Sequence, residues 1–330
     1  MALARTFKLN TGALIPAIGV GAPAVVKNST YSPHTVQYKV EKFLKLGHRH
    51  IDTAIIYTND QPLGRAIITS KVKREEIFLT QKLWNNQHQP ELVMEACKNS
   101  LERSKLDYYD LFLMHWPIAF KDSREKKSPE TEENKEEKKS SETKEIKENL
   151  DKTSSKPRHP IEIDDSIDFL DTYHAMESLV ESGKVKAIGV ANFGIKRLEK
   201  LLKKAKIPPA VNQVELHPYL PQNELLKFCK SKNIHVTAYS PFGVAGSALR
   251  TDEVINKIAV KHNKSIQQVL SSWAAQRGTS VVAAGINNTL AEQIFQDFVL
   301  PDEDFKEINE LSKTKQERYI TRKNWNFEWD

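Results

Sequence analysis

The sequence has few of the residues that build disulfide scaffolds or metal clusters. Only two cysteines, Cys97 and Cys229, occur in 330 residues, and neither stands in a CxxC or metal-ligand spacing. Both lie within helical patterns, so we expect two buried free thiols in a reducing compartment. We expect no bound metal.

Long apolar segments are also missing. No run of about 18 apolar residues occurs, which argues against a membrane-spanning helix. The N-terminal stretch MALARTFKLN lacks the continuous apolar segment of a signal peptide. The sequence thus predicts a cytoplasmic protein, with the nucleus left open as a further compartment.

Concentrated basic charge is absent as well. The net charge is +6, and no block of Lys and Arg interleaved with aromatic residues appears. Nucleic-acid proteins usually concentrate basic residues on one face, so nucleic-acid binding is excluded as the main role. A small-molecule substrate is the expected partner.

Balanced charge is concentrated in one segment, residues 121–158. It contains 12 Lys/Arg and 11 Asp/Glu but only two aliphatic residues. Such a stretch cannot bury enough apolar surface to offset the entropy of ordering it. We predict a largely disordered insertion, either an inert extension or a segment that shades the active site or binds a partner.

Outside the insertion, strand-length apolar runs alternate with amphipathic helical patterns. The helical patterns include 90–105, 168–184 and 223–233, and Gly183 is a stop signal for the second. Strands that are apolar throughout are typical of a parallel sheet covered by helices. Eight alternations indicate an α/β fold, a (β/α)8 TIM barrel, over a single domain of residues 1–330. The eight runs are 17–21, 50–54, 77–82, 110–115, 185–191, 210–216, 234–240 and 279–285.

The N-terminal region argues against an open dinucleotide-binding sheet. The GxGxxG fingerprint is missing, because Gly19 and Gly21 are followed by Pro23 where a helix would begin. Before the first barrel strand, residues 10–12 (NTG) form a turn signal between two short runs. This pattern predicts an N-terminal β-hairpin outside the barrel.

Polar side chains follow three consecutive predicted strands, at the barrel end that carries active sites. Asp52 ends the second strand, with Tyr57 in the loop beyond it, and Lys82 and His115 end the third and fourth. Each residue alone has a structural explanation, such as a helix cap or a satisfied buried group. Together, an acid, a phenol, a lysine and a histidine on one rim indicate catalysis.

These four side chains suit one proton transfer. A phenol titrates near ~10, and a neighbouring ammonium lowers that value. Lys82 would supply the ammonium, and Asp52 would hold it charged and in place. Tyr57 then becomes a proton donor, with His115 orienting a carbonyl oxygen beside it. This chemistry protonates an oxygen while a hydride arrives at the carbon.

The sequence resembles the aldo-keto reductases across essentially the whole chain apart from the insertion. The motifs that carry this resemblance are GHRHIDTAIIYTND, LTQKLW, LMHWP, GVANF, NQVELHPYLPQ and AYSPFG. A closer similarity to the fungal aldose reductase-like and glycerol dehydrogenase-like branch rests on LNTGALIPAIGVG, KLWNNQHQPE, LDYYDLFLMHWP and NWNFEWD.

The resemblance implies hydride transfer between a nicotinamide dinucleotide, NADP(H), and the carbonyl of an aldehyde or ketone. The reverse reaction would oxidise an alcohol or a polyol such as glycerol, and a monomer is expected. Asp52, Tyr57, Lys82 and His115 match the family's catalytic tetrad, with Tyr57 as the general acid or base.

The same resemblance implies the binding residues. Asn192 and Gln213 match positions that hold the nicotinamide carboxamide, and Tyr239 matches the ring stacked on the nicotinamide. The residues expected along the pyrophosphate are Ser240, Phe242 and Gly243, and those expected around the substrate are Trp84, Trp116 and Trp325, with Phe327 and Trp329.

The sequence departs from the family at the positions that distinguish NADP(H) from NAD(H). Ala284, Gly285 and Leu290 replace the Lys, Ser and Arg that usually contact the 2′-phosphate. Losing two charge-assisted contacts at ~1.5–3 kcal/mol each weakens NADP(H) binding by about two to four orders of magnitude. NAD(H) is therefore an alternative cofactor, unless another cation such as Arg250 compensates.

Two further departures lie near the expected active site. Ala191 replaces the usual Ser beside Asn192, and Ala22-Pro23 replaces a Thr-Trp pair after the first strand. Two functions therefore remain open: an active oxidoreductase, or a barrel retained as a binding or structural protein with little turnover.

Overall fold

A closed barrel of eight parallel strands forms the centre of the molecule. The computed structural model describes residues 6–25, 31–121, 161–284, 288–295, 298–322, 325 and 327–329. All eight predicted barrel strands are present. They are β3 (Ile18–Gly21), β4 (His50–Asp52), β5 (Phe78–Leu83), β6 (Leu111–Met114), β7 (Ile188–Ala191), β8 (Val211–Glu215), β9 (His235–Tyr239) and β10 (Ser280–Ala283), and β10 pairs with β3 to close the ring.

Helices surround the barrel and cover its outer face. The three helical patterns singled out in the sequence are present. The helices are α1 (Pro33–Lys45), α2 (Asp60–Thr69), α3 (Pro90–Ser104), α4 (Phe169–Glu181), α5 (Ile195–Leu202), α6 (Asn223–Ser231), α7 (Glu253–Lys261), α8 (Ile266–Gln276), α9 (Asn288–Phe295) and α10 (Asp302–Glu310).

Local sequence explains where these helices begin and end. Asp168 caps α4 by accepting a hydrogen bond from the N–H of Leu170 at 3.0 Å. Ser265 and Gln268 form a reciprocal capping box at the start of α8. Gly183, at φ +70°, follows the end of α4 in the left-handed region that favours glycine.

The predicted N-terminal hairpin closes one end of the barrel. β1 (Thr6–Lys8) and β2 (Leu14–Pro16) pair antiparallel around a turn in which Gly12 has φ +87°. Leu9 and Ile15 of this hairpin are buried against residues of β5, β6 and β8. The hairpin therefore covers the N-terminal ends of the strands and leaves their C-terminal ends uncovered by it.

The main core lies between the barrel and the helices. Cys97 and Cys229 are both buried and free, as predicted. Burial raises the pKa of each thiol to about 12, so both are unreactive core residues. Among the described residues, no helix is both long and apolar enough to cross a membrane.

The flanks of the predicted insertion are joined to each other. Phe120 and Ile163 form an antiparallel bridge, and the N–H of Lys121 donates to Glu162 O at 3.0 Å. Residues 122–160 lie outside the described residues, so their predicted disorder stays a prediction.

Candidate active site

Asp52 and Lys82 form a buried ion pair at the C-terminal end of the barrel. Lys82 Nζ donates to Asp52 Oδ1 and, at 2.8 Å, to the carbonyl oxygen of Thr53. Gln213 Nε2 donates to the other carboxylate oxygen of Asp52 at 2.8 Å. The side chains of the pair are only 2% and 7% exposed, so each charge has its partner inside the protein. The predicted pairing is confirmed.

Tyr57 and His115 lie above this pair. A short 3-10 turn, Ile55–Tyr57, directly after β4 places the phenol, and Thr58 ends the turn with φ 49°. The Tyr57 and His115 rings are 6.3 Å apart between centroids, at an interplanar angle of 84°. Lys82 Nζ is 5.9 Å from the centroid of the Tyr57 ring. The four side chains from three strand ends thus meet in one place.

The predicted direction of the Tyr57 pKa is wrong. Burial raises the pKa of this phenol above its ordinary value of 10.0, and the nearby Asp52 carboxylate raises it further. Lys82 does not overcome these effects, because its ammonium is already paired with Asp52. The opposing contribution comes from Arg322, which lowers the pKa of Tyr57. The phenol is therefore protonated at neutral pH.

His115 is neutral at physiological pH. Burial lowers the pKa of its imidazole well below 6.5, and the positive charges of Lys82 and Arg322 lower it further. Its backbone carbonyl accepts a hydrogen bond from Asn192 Nδ2 at 2.9 Å. A neutral imidazole keeps one N–H donor for a ligand.

The nicotinamide-side residues predicted from the sequence are held together by hydrogen bonds. Tyr239 Oη donates to Asn192 Oδ1 at 2.7 Å, which fixes the ring against the amide. Asn192 has φ 63° and Ser240 has φ 49°, so a residue in the left-handed region directly follows each of the strands β7 and β9. This turn of the backbone directs both residues toward the cavity.

A cavity of about 350 Å³ opens above these residues. Its lining brings together seven of the predicted site residues, Asp52, Tyr57, His115, Asn192, Gln213, Tyr239 and Ser240. Lys82 lies behind Asp52 rather than at the surface of the cavity. Phe242 and Gly243 follow in the turn after Ser240, where the Gly243 N–H donates to Ser240 O at 2.9 Å, and neither lines the cavity.

The predicted substrate-side tryptophans form an aromatic cluster beside the cavity. Trp84 lies 5.1 Å from His115 and 6.1 Å from Trp325, between ring centroids. Trp116 lies 5.2 Å from Trp325. Phe327 and Trp329 pack on Trp116 at 5.4 and 5.7 Å. This cluster forms a wall beside His115 rather than the lining of the 350 Å³ cavity itself.

The substituted positions lie at this cavity as well. Ala22, Pro23, Ala191 and Ala284 all line it. Ala284 is exposed, so no cation is presented at that position. Leu290 lies in α9, and Gly285 lies outside the described residues. Arg250 is held near the turn after Ser240 by donating from Nε to Phe242 O at 3.2 Å.

The sequence reasoning missed two residues of the C-terminal segment. Ile320 and Arg322 line the cavity, and the Arg322 guanidinium lies 4.8 Å from the Trp325 ring centroid. A basic stretch directly before the aromatic tail, RYITRKNW, was the available signal. Arg322 brings a further positive charge to a site where Lys82 is paired with Asp52.

Comparison with known proteins gives consistent results. The profile of the Aldo/keto reductase family matches residues 17–313. Aldehyde reductase YPR1 and a glycerol 2-dehydrogenase (NADP(+)), both of Saccharomyces cerevisiae, are each 40% identical over 97% of this chain and 95% of their own lengths. The solved structure of the aldose reductase from Schistosoma japonicum superposes with a TM-score of 0.80 at 32% identity, covering 98% of this chain and 96% of that one.

Proposed function

This chain belongs to the aldo/keto reductase family, and from that membership we propose that it transfers a hydride between a nicotinamide dinucleotide and a carbonyl compound. In one direction it would reduce an aldehyde or ketone. In the other it would oxidise an alcohol or a polyol such as glycerol. The names of the relatives, an aldehyde reductase and a glycerol 2-dehydrogenase, support both directions.

One observation carries the proposal: a buried Asp52–Lys82 pair lies under a phenol and a neutral imidazole at a single cavity. Packing alone does not explain this arrangement, because burying four polar groups costs free energy. The substitutions at Ala22, Pro23, Ala191 and Ala284 are the features behind the alternative of a barrel without turnover, but they leave the four polar side chains in place.

Tyr57 is the proposed general acid. Its raised pKa keeps the phenol protonated, so it can donate its proton to a carbonyl oxygen as the carbon receives the hydride. The phenolate left behind would then take a proton from solvent. In alcohol oxidation the roles reverse, and Tyr57 must first lose its proton to act as the base.

The neighbouring groups support this transfer electrostatically. The Lys82 ammonium, 5.9 Å from the ring centre, would favour the phenolate that forms as the proton leaves. Asp52 would hold that ammonium in place. The neutral His115 would donate an N–H to the carbonyl oxygen and so orient it toward Tyr57.

The residues at the cavity fit the nicotinamide end of such a cofactor, which when bound supplies the hydride. Asn192 and Gln213 each use one polar atom or more within the protein, yet both amides still reach the cavity with remaining hydrogen-bonding capacity. Tyr239 offers an aromatic ring, and Ser240 follows it along the same wall. Together they would hold a carboxamide and the flat ring that carries it.

The 2′-phosphate end fits less well. An exposed Ala284 stands where a lysine would contact that phosphate, so we propose that the protein discriminates little between NADPH and NADH. Arg250, which is exposed and donates to Phe242 O in the turn after Ser240, is the cation that would restore the preference. Direct measurement of the dissociation constants of both cofactors decides between these possibilities.

The function is tested by assaying NADPH and NADH oxidation with a panel of aldehydes and simple ketones. Turnover should fall by about 10²–10⁴-fold in Tyr57→Phe, because the proton donor is lost while the ring remains. Cofactor dissociation constants should not change. Tyr38→Phe, which removes an exposed phenol on α1, is the matched control. Absence of turnover with every panel member, or full activity of Tyr57→Phe, would refute the proposal.

A further inference from the structure

Glu215 is a buried charged residue that the proposed chemistry does not use. It is the last residue of β8 and is 0% exposed. Its Oε1 accepts hydrogen bonds from the N–H of Tyr319 at 2.6 Å and from His217 Nε2 at 3.0 Å. Its Oε2 accepts one from the N–H of Ile320 at 2.8 Å. One carboxylate of the barrel thus holds two consecutive peptide groups of the C-terminal segment.

The charge state of Glu215 strengthens this contact. Burial by itself would raise the pKa of the carboxyl, but the hydrogen bonds from His217, Tyr319 and Ile320 keep it below the ordinary value of 4.5. The group is therefore ionised at neutral pH. Hydrogen bonds to an ionised acceptor are shorter and stronger than those between neutral groups.

The segment that Glu215 holds forms part of the active-site cavity. Ile320 and Arg322 line the cavity, and Trp325 is buried between Trp84, Trp116 and Phe120. Residues 315–322 are neither helix nor strand, so regular backbone pairing does not fix their position. The direction in which Ile320 and Arg322 face therefore depends on how the backbone is held at Tyr319 and Ile320, where the segment reaches the edge of the cavity.

Other contacts hold the same segment at residues that do not line the cavity. The N–H of Glu317 donates to Tyr219 O at 3.1 Å, and Lys315 Nζ lies 2.6 Å from the buried carboxylate of Asp252. The Tyr319 ring lies 4.8 Å from the ring of His217. Ile320 lines the cavity, and its N–H donates to the Glu215 carboxylate. Within the described residues, no other barrel carboxylate binds the backbone of a residue of this segment that lines the cavity.

We propose that Glu215 is a positioning residue that fixes the C-terminal segment over the active site and thereby sets the affinity for substrate. The effect on substrate rests on the function proposed above, whereas the anchoring of the segment does not. Glu215 acts through Ile320 and Arg322 and touches none of the reacting groups.

The decisive variant is Glu215→Gln, which keeps the shape of the side chain and removes its charge. We expect KM for aldehydes to rise about tenfold or more while kcat changes little, since binding contacts are lost and the proton donor remains. Trypsin should cleave faster after Arg318 and Arg322, as identified by the masses of the fragments. The second readout does not require turnover.

Asp252→Asn is the matched control. It neutralises another buried carboxylate that binds the same segment, but at Lys315 and away from the cavity. A stability loss with unchanged KM in this variant would support the specific role of Glu215. An equal rise in KM in both variants would refute it, because any loosening of the segment would then suffice.

A second variant covers the case in which Glu215→Gln fails to fold. Tyr319→Pro removes the donor of the 2.6 Å bond without altering the carboxylate. Tyr319→Leu keeps that N–H and removes only the ring. The proposal expects faster cleavage and a higher KM in the Pro variant than in the Leu variant. Equal cleavage rates and equal KM values in the two variants would overturn the proposal. If the wild-type protein shows no turnover, the proposed function fails, and the cleavage rates still test whether Glu215 anchors the segment.

Discussion

At the scale of single residues, the protonation state of Tyr57 sets the pH behaviour of the proposed reaction. A general acid must be protonated, so reduction is lost as the pH rises through the pKa of Tyr57. Burial and Asp52 raise that pKa above 10.0, and the pKa of His115 lies below 6.5. We therefore expect kcat/KM for reduction to stay level between about pH 7 and about pH 9.

Alcohol oxidation should show the opposite slope over the same range. It needs the phenolate, whose fraction grows with pH below the pKa of Tyr57, so the rate should rise toward alkaline pH. Steady-state kinetics in both directions measure this difference. A fall of the reduction rate near neutral pH would contradict the assignment of Tyr57 as the acid.

Ala284 gives a second prediction at this scale. Ala284→Lys should tighten NADPH binding by about 10- to 150-fold, which corresponds to one charge-assisted contact of ~1.5–3 kcal/mol. The dissociation constant for NADH should not change, because NADH lacks the 2′-phosphate. Fluorescence titration with both cofactors measures this. Arg250→Met is the comparison: a large loss of NADPH affinity there would show that Arg250 already serves the phosphate.

The sequence was sufficient to predict that these four side chains lie together but not to predict their electrostatics. Asp52, Tyr57, Lys82 and His115 could be placed together because strand ends of a barrel meet on one rim. The direction in which the pKa of Tyr57 shifts depends on burial and on which charge is left unpaired, and neither can be read from the sequence. Arg322 was missed because it reaches the cavity from a segment with no regular structure.

At the scale of elements, the hairpin β1–β2 should contribute stability without contributing to catalysis. Ile15 is 0% exposed under the barrel, at the end opposite the active site. Ile15→Ala should lower the free energy of unfolding by about 2–5 kcal/mol. Urea unfolding measures this, and kcat and KM should remain those of the wild type.

The neighbouring residue provides the control. Leu14 is in the same strand but is 59% exposed, so Leu14→Ala should change the free energy of unfolding by about 0.5 kcal/mol or less. Equal effects of the two substitutions would show that the hairpin is not packed against the barrel as described.

The elements themselves were predictable because local and global signals agree. Most barrel strands lie in short runs rich in apolar residues, and a covered parallel strand buries both faces, as β5 and β8 do. The hairpin was predicted from NTG, and Gly12 adopts the positive φ that such a turn requires. The residues of the aromatic cluster around Trp325 were predicted, but their arrangement as a wall beside His115 was not. That arrangement depends on tertiary packing.

At the scale of the whole molecule, replacing residues 122–160 with a short glycine-rich linker should leave the protein intact. The bridge between Phe120 and Ile163 already brings the two flanks together, so the linker needs to span little distance. We expect unchanged Tm, KM and kcat. A changed KM would favour the alternative in which the segment shades the active site, and loss of a bound protein on deletion would favour the partner-binding alternative.

The bridged flanks have a further consequence for how this barrel tolerates change. Since the N–H of Lys121 donates to Glu162 O, the chain returns to the fold at the place where it left. We therefore expect a different sequence inserted there to leave the barrel strands in place. The position is therefore suited to the insertion of another domain. A fluorescent domain or an affinity tag inserted there would lie close to the proposed active site.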